Sequence, residues 1–363
     1  MAKYRHRLPQ LDDQRLFLTD GGLETTLIFH KGIELAHFAA FDLMRTVDGR
    51  ETLRDYYRPY VEAAKSGGYG FVLDTPTWRA SADWGAKLGY SREALAAVNR
   101  DSISLMVELR EEYEATVAPM VVSGAIGPRG DGYVAGEIMS GATAEAYHAE
   151  QIAVFADSEA DMVGAFTLTN VNEAIGIARA ARAVGMPVAI SFTLETDGRL
   201  PAGDHLGDAI AAVDRATDGW PAYYMINCAH PTHFATTLAG GPSWVKRLRG
   251  LRANASKRSH AELNEALDLD AGDPHELGAQ YRKLVERFPH ITVVGGCCGT
   301  DDRHIACIGA ACETLAAAQP QMKAAPNGGS APAFWSRLIE PYAALAAAVG
   351  TSEIVFRICE AIW

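Results

Sequence analysis

The feature that most constrains the fold of this chain is a regular alternation of short apolar runs with longer, alanine-rich amphipathic stretches. Such alternation is typical of βα units around a parallel sheet. The runs that have the length and composition of strands are RLFLTD (15–20), YGFVLD (69–74), PMVVSGAIG (119–127), DMVGAF (161–166), PVAISFT (187–193), AYYMINC (222–228), RLRGLRAN (247–254) and ITVVGGC (291–297). Helical segments lie between them, and the segment 171–185 ends in Gly185, as a helix C-cap should.

These βα units can form an open doubly wound sheet or a closed barrel. No G-x-G-x-x-G motif follows the first run, where a dinucleotide-binding sheet would carry it. We therefore predict an α/β fold, a (β/α)8 TIM barrel over residues 1–318. The Pro-, Gly- and Ala-rich stretch 319–334 predicts a linker, and the apolar residues of 335–363 predict a C-terminal helical extension that docks on the barrel or pairs with another subunit in a homo-oligomer.

Charge and cysteine usage narrow the class of partner and the compartment. A net charge of −12 argues against nucleic acid or an anionic membrane as the main partner. No apolar run approaches the roughly 18 residues of a membrane span, and the polar start MAKYRHRLPQLDDQ lacks the core of a secretory signal. Six cysteines are too few for a secreted disulfide framework, so we expect a cytoplasmic protein. Cys307, Cys312 and Cys359 are expected to be small buried side chains.

Polar, glycine and cysteine residues gather where the predicted strands end, in DGGLET (20–25), DTPTW (74–78), NCAHP (227–231) and GGCCGT (295–300). In a barrel, chemistry gathers at these strand ends. The sixth and eighth strands are separated by one strand, so Cys228, Cys297 and Cys298 can converge at one rim. Three thiolates without a fourth protein ligand fit an open zinc site. His230 and His233 are competing ligands, and a pair of core residues or a vicinal disulfide is the alternative for the adjacent cysteines.

Four segments resemble, in this order, the motifs of the homocysteine S-methyltransferase family: LTDGGLETTL (18–27), SFTLETDGRL (191–200), INC (226–228) and GGCCGTDDRHI (295–305). The resemblance covers about residues 15–316. It implies a (β/α)8 barrel whose zinc, held by the cysteines that match Cys228, Cys297 and Cys298, binds the thiol of homocysteine and directs it at an activated methyl group, giving methionine. The same residues would then be the catalytic ones.

This chemistry agrees with the residue types. A free thiol has a pKa near 8.5, and coordination to zinc converts it to a thiolate. A donor that carries its methyl group on a sulfonium or a betaine-like ammonium leaves as a neutral molecule, so no acid or base is required. Two alternatives remain: an acceptor module whose methyl group arrives on a corrinoid partner protein, and a non-catalytic zinc or thiol redox sensor.

Candidate substrate-binding residues follow from the strand ends and the resemblance: Asp20, Gly21, Gly22, Glu24, Thr75, Trp78, Thr167, Glu195 and Asn227. Asp20 and Glu24 could hold an amino group, or could simply be acids favoured by a helix N-terminus. Glycines at 21 and 22 allow close approach of the backbone to a ligand, and an indole at 78 offers a cation–π face for a methylated cation.

One position departs from the family pattern. Members usually carry a Glu-Thr pair at the end of the fourth strand, where the Glu helps to hold the amino group of homocysteine, but here Thr167 and Leu168 follow Phe166. A neutral Thr cannot balance an ammonium group. We therefore expect weaker binding of homocysteine, a carboxylate supplied by Asp20, Glu24 or Glu195, or a different thiol acceptor. Asn254 also matches a family position, without the usual preceding proline.

Overall fold

The computed structural model describes residues 1–12, 15–239 and 243–322, and within them every predicted strand run takes part in one closed parallel barrel. The strands are β1 (Phe17–Leu18), β2 (Gly70–Asp74), β3 (Met120–Ile126), β4 (Met162–Leu168), β5 (Val188–Phe192), β6 (Tyr223–Asn227), β7 (Leu248–Ala253) and β8 (Val293–Gly296). Pairing of Phe17 with Val293 and of Leu18 with Val294 closes the barrel. The prediction of a (β/α)8 barrel is confirmed.

The α-helices of the described residues are α1 (Leu23–Thr25), α2 (Val47–Gly67), α3 (Ala82–Lys87), α4 (Arg92–Tyr113), α5 (Gly141–Ala156), α6 (Val171–Ala183), α7 (Leu206–Thr217), α8 (Pro231–Ala239), α9 (His260–Asn264), α10 (Pro274–Arg287) and α11 (Asp302–Met322). Local chemistry sets their ends: the side chain of Asn170 caps α6 by accepting from the amide of Glu173. After α6, Gly185 has φ +67°, as its predicted capping role requires.

The predicted linker and extension fall mostly outside the described residues. Helix α11 continues to Met322, so residues 319–322 are helical where the sequence predicts the start of a linker. The rest of the linker, the extension 335–363 and Cys359 lie outside the part of the chain that the structure describes. No described helix has both the length and the hydropathy that crossing a membrane demands.

Side chains from alternate strand positions fill the inside of the barrel, as the period of two along a strand dictates. This inner core contains Phe17, Val72, Val121, Ala125, Met162, Phe166, Ala189, Tyr223, Met225 and Val293, together with Leu8 from the N-terminal segment. Of these residues, Ala125 and Phe166 also line a cavity at the end of the barrel where the strands finish. The inner core is therefore the floor of that cavity.

Strand β4 is irregular near its end, where it reaches the rim of the barrel. The pairing register between β4 and β5 shifts between Ala165 and Leu168, and Thr167 inside this interval has φ +61°. A bulge of this kind re-aims a side chain. It turns Thr167 into the cavity instead of leaving it in the regular alternation of the strand.

Candidate metal and substrate site

Three cysteine sulfurs meet at the rim of the barrel. Cys228 follows β6 directly, and Cys297 and Cys298 follow β8. Their sulfur atoms all lie within 4.8 Å of one another; those of Cys228 and Cys298 are 3.9 Å apart, and those of Cys228 and Cys297 are in disulfide contact. Among the described residues no other group of three possible metal-ligating side chains is this close. The convergence expected from the strand order is thus present.

The backbone bends sharply at each cysteine segment. Cys228 has φ +52°, which is uncommon for a residue with a side chain. Its carbonyl oxygen accepts hydrogen bonds from His260 Nε2 at 2.7 Å and Asn254 Nδ2 at 3.1 Å, which hold this conformation. After the cysteine pair, Gly299 has φ +80°. This turn lets two adjacent residues, Cys297 and Cys298, both reach the cluster, which a regular strand would forbid.

The glycines of the DGG segment allow the chain after β1 to pack on the cysteine loop. A Cβ atom on Gly22 would lie 2.6 Å from the carbonyl oxygen of Cys297, and one on Gly21 would lie 2.8 Å from the carbonyl oxygen of Thr300. Neither distance is tolerated between real atoms, so only glycine fits at these two positions. The sequence predicts that this backbone approaches a ligand closely; in the structure the backbone lies against the cysteine loop.

Asn227 links β4, β5 and the cysteines. Its Oδ1 accepts from the amide of Thr167 at 2.8 Å and from the hydroxyl of Ser191 at 2.6 Å. Its Nδ2 donates to Thr167 Oγ1 at 2.8 Å and lies 3.8 Å from Cys297 Sγ. Because both ends of the amide are engaged, Asn227 holds one orientation beside the sulfur.

Tyr133 is a contact that the sequence analysis did not identify. It lies in the connection between β3 and α5, and its hydroxyl donates to Cys298 Sγ at 3.3 Å. Its ring stacks on His260 with centroids 4.2 Å apart, and His260 Nδ1 lies 3.0 Å from Glu195 Oε1. No sequence pattern marked Tyr133, because it sits in a loop far along the chain from every cysteine.

The cysteines open into a cavity of about 90 Å³. Nearly all predicted site residues line it: Asp20, Gly21, Gly22, Glu24, Thr75, Trp78, Thr167, Asn227, Cys228, Cys297 and Cys298. Glu195 does not line it and instead pairs with His260. Neither competing histidine belongs to the cysteine cluster. His230 is hydrogen-bonded to the hydroxyl of Thr232, and His233 donates to the carbonyl of Lys257.

A buried cation, Arg252, stands in the wall of the cavity, and the sequence analysis missed it. Its guanidinium contacts Asp20 and Asp74, each at 2.6 Å, and its Nε donates to the carbonyl of Gly296. Burial raises the pKa of Asp20 and raises that of Asp74 to about 6, while Arg252 opposes both shifts. An Arg in the middle of an apolar strand pattern was the available signal, since it needs a partner once it is buried.

The remaining cavity carboxylate, Glu24, stands at the start of α1. Burial raises its pKa to about 7, and the charge of Asp20 adds to this shift. Aromatic side chains at positions 38, 78 and 166 face the same cavity. Trp78 carries the guanidinium of Arg79 4.1 Å from its ring centroid, and its Nε1 donates to the carbonyl of Phe166. The cavity therefore combines a thiol cluster, a carboxylate and aromatic walls.

The donor set fits a zinc ion. Three sulfur ligands within reach of one ion, at the edge of a cavity that leaves a further position for a substrate atom, are the arrangement of a catalytic zinc site. Burial raises the pKa of the Cys298 thiol to about 11, so without a metal this ligand stays protonated at neutral pH.

Comparison with known proteins gives a consistent result. The family model for homocysteine S-methyltransferase matches residues 17–312. Solved structures of the homocysteine methyltransferase MmuM from Escherichia coli are similar over 83% of this chain and 97% of theirs: 23% identity with TM-score 0.64 for the metallated form, and 23% with 0.65 for the oxidized form. No curated protein sequence matches the chain. At this identity the solved structures establish the shared barrel fold.

Proposed function

Because this chain belongs to the homocysteine S-methyltransferase family and is an enzyme that methylates homocysteine to methionine, we propose that zinc held by Cys228, Cys297 and Cys298 is its cofactor and that a small sulfonium or betaine-like compound is its methyl donor. The observation that carries the proposal is the meeting of three sulfurs within 4.8 Å at the edge of the cavity. The E. coli protein MmuM has been solved in a metallated form, which supports a metal in this fold.

Zinc, when bound, supplies the Lewis acidity that turns the homocysteine thiol into a thiolate at neutral pH. The residues of this chain hold the cysteines in place. Asn227 fixes the orientation of Cys297, and Tyr133 holds Cys298 through its hydroxyl. The cavity places donor and acceptor together, which contributes much of the rate.

The cavity walls favour a cationic donor. Trp78 and Phe166 line the cavity beside the cysteine cluster, and a guanidinium already lies over each ring, Arg79 over Trp78 and Arg252 over Phe166. Aromatic rings in this position attract cations, including methylated ones that have no N–H group to donate. Such a donor becomes neutral when its methyl group leaves, so no proton needs to be transferred. Three cysteines that must be reduced to bind a metal persist best in a reducing compartment, and on this ground we also propose a cytoplasmic location.

Metal analysis combined with methionine formation tests the proposal. The purified protein should bind one zinc per chain and form methionine from homocysteine with S-methylmethionine or glycine betaine as donor. Cys228→Ala, Cys297→Ala and Cys298→Ala should each lose most of the metal and nearly all activity. The matched control is Cys307→Ala in α11, which should retain both. Full zinc content in Cys297→Ala would exclude the assignment, and metal binding without turnover by any donor would favour the sensor alternative.

A further inference from the structure

The cavity contains three carboxylates and one guanidinium, and their pairing is uneven. Among its lining residues the acids are Asp20, Glu24 and Asp74, and the cation is Arg252. Arg252 contacts Asp20 and Asp74 at the same distance of 2.6 Å. Asp20 also accepts a hydrogen bond from Tyr56 at 3.0 Å. Both aspartates thus pair with the one guanidinium of Arg252, and the Oδ1 atom of Asp74 is buried without a hydrogen-bond partner among the described residues.

Glu24 has no comparable partner. In the described part of the chain its carboxylate lines the cavity, forms no ion pair within 4.0 Å and accepts no hydrogen bond from another side chain; its own backbone amide is a donor to it. Burial raises the pKa of Glu24 to about 7, while its own backbone amide and the charges of Arg79 and Arg252 oppose the rise. A half-buried acid that faces the cavity without an ion pair is available to a cationic group of a ligand.

The third acid considered from the sequence, Glu195, is engaged elsewhere. Its Oε1 lies 3.0 Å from Nδ1 of His260, and it does not belong to the cavity lining. Thr167, at the end of β4, is neutral; its amide donates to Asn227 Oδ1 and its hydroxyl accepts from Asn227 Nδ2. Of the carboxylates that line this cavity, Glu24 is the one that forms no ion pair with a cation of the described residues.

We propose that Glu24 binds the α-ammonium group of homocysteine and supplies the carboxylate that the end of β4 lacks, while Asp20 serves as a structural partner of Arg252. This inference rests on the proposed function, because it places the homocysteine sulfur at the three cysteines. Glu24 comes two residues after Gly22, which packs against the carbonyl of Cys297, so the acid belongs to the segment that borders the cluster.

The chemistry of the two cations separates the acceptor from the donor. A primary ammonium carries three N–H groups and gains charge-assisted hydrogen bonds from a carboxylate. A sulfonium or quaternary ammonium has no N–H group to donate, and aromatic walls attract it without a carboxylate. An unpaired carboxylate beside the thiol cluster therefore fits the amino group of the thiol acceptor better than the methyl-bearing centre of the donor.

The test compares homocysteine with 4-mercaptobutanoate, the same thiol without its amino group, by titration of the zinc-loaded protein. The parent should prefer homocysteine. Glu24→Gln should weaken homocysteine roughly 10-fold to 100-fold, the range expected for loss of a charged hydrogen bond, and should leave 4-mercaptobutanoate within about 2-fold on the same scale. Glu24→Asp keeps the charge on a shorter side chain, so its affinity for homocysteine should lie between those of the parent and Glu24→Gln.

Asp20→Asn is the matched control, with zinc content measured in every variant. It should lose stability but keep the preference for homocysteine over the deaminated thiol. Retention of this preference in Glu24→Gln, or equal weakening of both thiols, would overturn the role of Glu24 while leaving the proposed function in place. A zinc-loaded parent that binds neither thiol would instead overturn the proposed function, and the inference with it.

Discussion

Two residues at the site carry side chains in a backbone conformation that glycine usually adopts. Thr167 has φ +61° and Cys228 has φ +52°. Such conformations cost on the order of 1–3 kcal/mol each and persist where surrounding contacts impose them. Here the backbone amide of Thr167 donates to Asn227 Oδ1, and the hydroxyl of Thr167 accepts from Asn227 Nδ2. The carbonyl oxygen of Cys228 accepts a hydrogen bond from His260. Strain is thus concentrated at the thiol cluster.

Replacement of Thr167 tests whether a second carboxylate helps acceptor binding. Thr167→Glu places an acid at the end of β4, in the same cavity as Glu24. We expect KM for homocysteine to fall at least several-fold with zinc content unchanged, because a charged hydrogen bond is worth about 1.5–3 kcal/mol against about 1 for a neutral one. Steady-state kinetics with a saturating donor measure the effect.

The control for this substitution is Thr167→Gln, which has nearly the same size and no charge. It should not tighten homocysteine. If both variants tighten it equally, side-chain size accounts for the change, and if neither does in a folded, zinc-loaded protein, the ammonium is already fully compensated.

The raised pKa of Glu24 predicts how stability depends on pH. Its pKa is about 7 in the folded protein against 4.5 as the ordinary value. Below pH 4.5 the carboxyl group is protonated in both states, and above about 7 the folded protein carries a charge that burial disfavours. The wild type therefore loses stability across this window relative to Glu24→Gln, which has no charge to bury.

Thermal denaturation of the substrate-free proteins between pH 5 and pH 8 measures this dependence. The Tm advantage of Glu24→Gln over the parent should grow as the pH rises. A Tm difference that stays constant over the whole range would mean that water or another group compensates Glu24.

At the scale of elements, the ends of β6 and β8 determine which cysteines can be joined by oxidation. The Cα atoms of Cys228 and Cys297 are 5.4 Å apart, a separation that suits a disulfide. Mild peroxide should join these two residues, release zinc and abolish activity, and a reductant with added zinc should restore it. Mass spectrometry of unreduced digests identifies the pair, with Cys298 expected as a single thiol.

Two results would contradict this prediction. A bond between Cys297 and Cys298 would show that the vicinal pair is the preferred one. Loss of activity with unchanged zinc content would show that a residue outside the cluster is the sensitive one. Cys312, buried in α11, should remain unmodified and serves as the internal control.

At the scale of the whole molecule, one buried cation joins distant parts of the barrel rim. Arg252 of β7 contacts Asp20 after β1, Asp74 at the end of β2 and the carbonyl of Gly296 in β8. Arg252→Met would leave two buried carboxylates without a cation, and we expect a loss of about 3–5 kcal/mol in the free energy of unfolding. Urea denaturation at neutral pH measures it.

Removing the acids as well provides the control. The combination of Arg252→Met with Asp20→Asn and Asp74→Asn should recover most of the lost stability, because no uncompensated charge remains buried. A single Arg252→Met variant as stable as the parent would mean that water screens the two aspartates and that Arg252 does not hold the rim together.

The periodic and local patterns were sufficient for the architecture. Each βα unit is marked in the sequence by its own apolar run and its own helix caps, such as Gly185 after α6. Each predicted strand therefore overlaps the strand in the structure, with ends that differ by a few residues. The cysteine motifs located the chemistry, because parallel strands of a barrel end at one rim and residues after β6 and β8 must meet there.

The sequence by itself therefore determined the barrel, the rim and the three cysteines that meet at it. Only the tertiary structure decided how charges are shared in the cavity: that Arg252 takes up Asp20 and Asp74, that Glu195 turns to His260, and that Glu24 is left available. These partners lie far apart along the chain, and no periodicity encodes which side chain meets which. Patterning fixes the elements, whereas pairing of buried charges depends on distances that exist only after the barrel has closed.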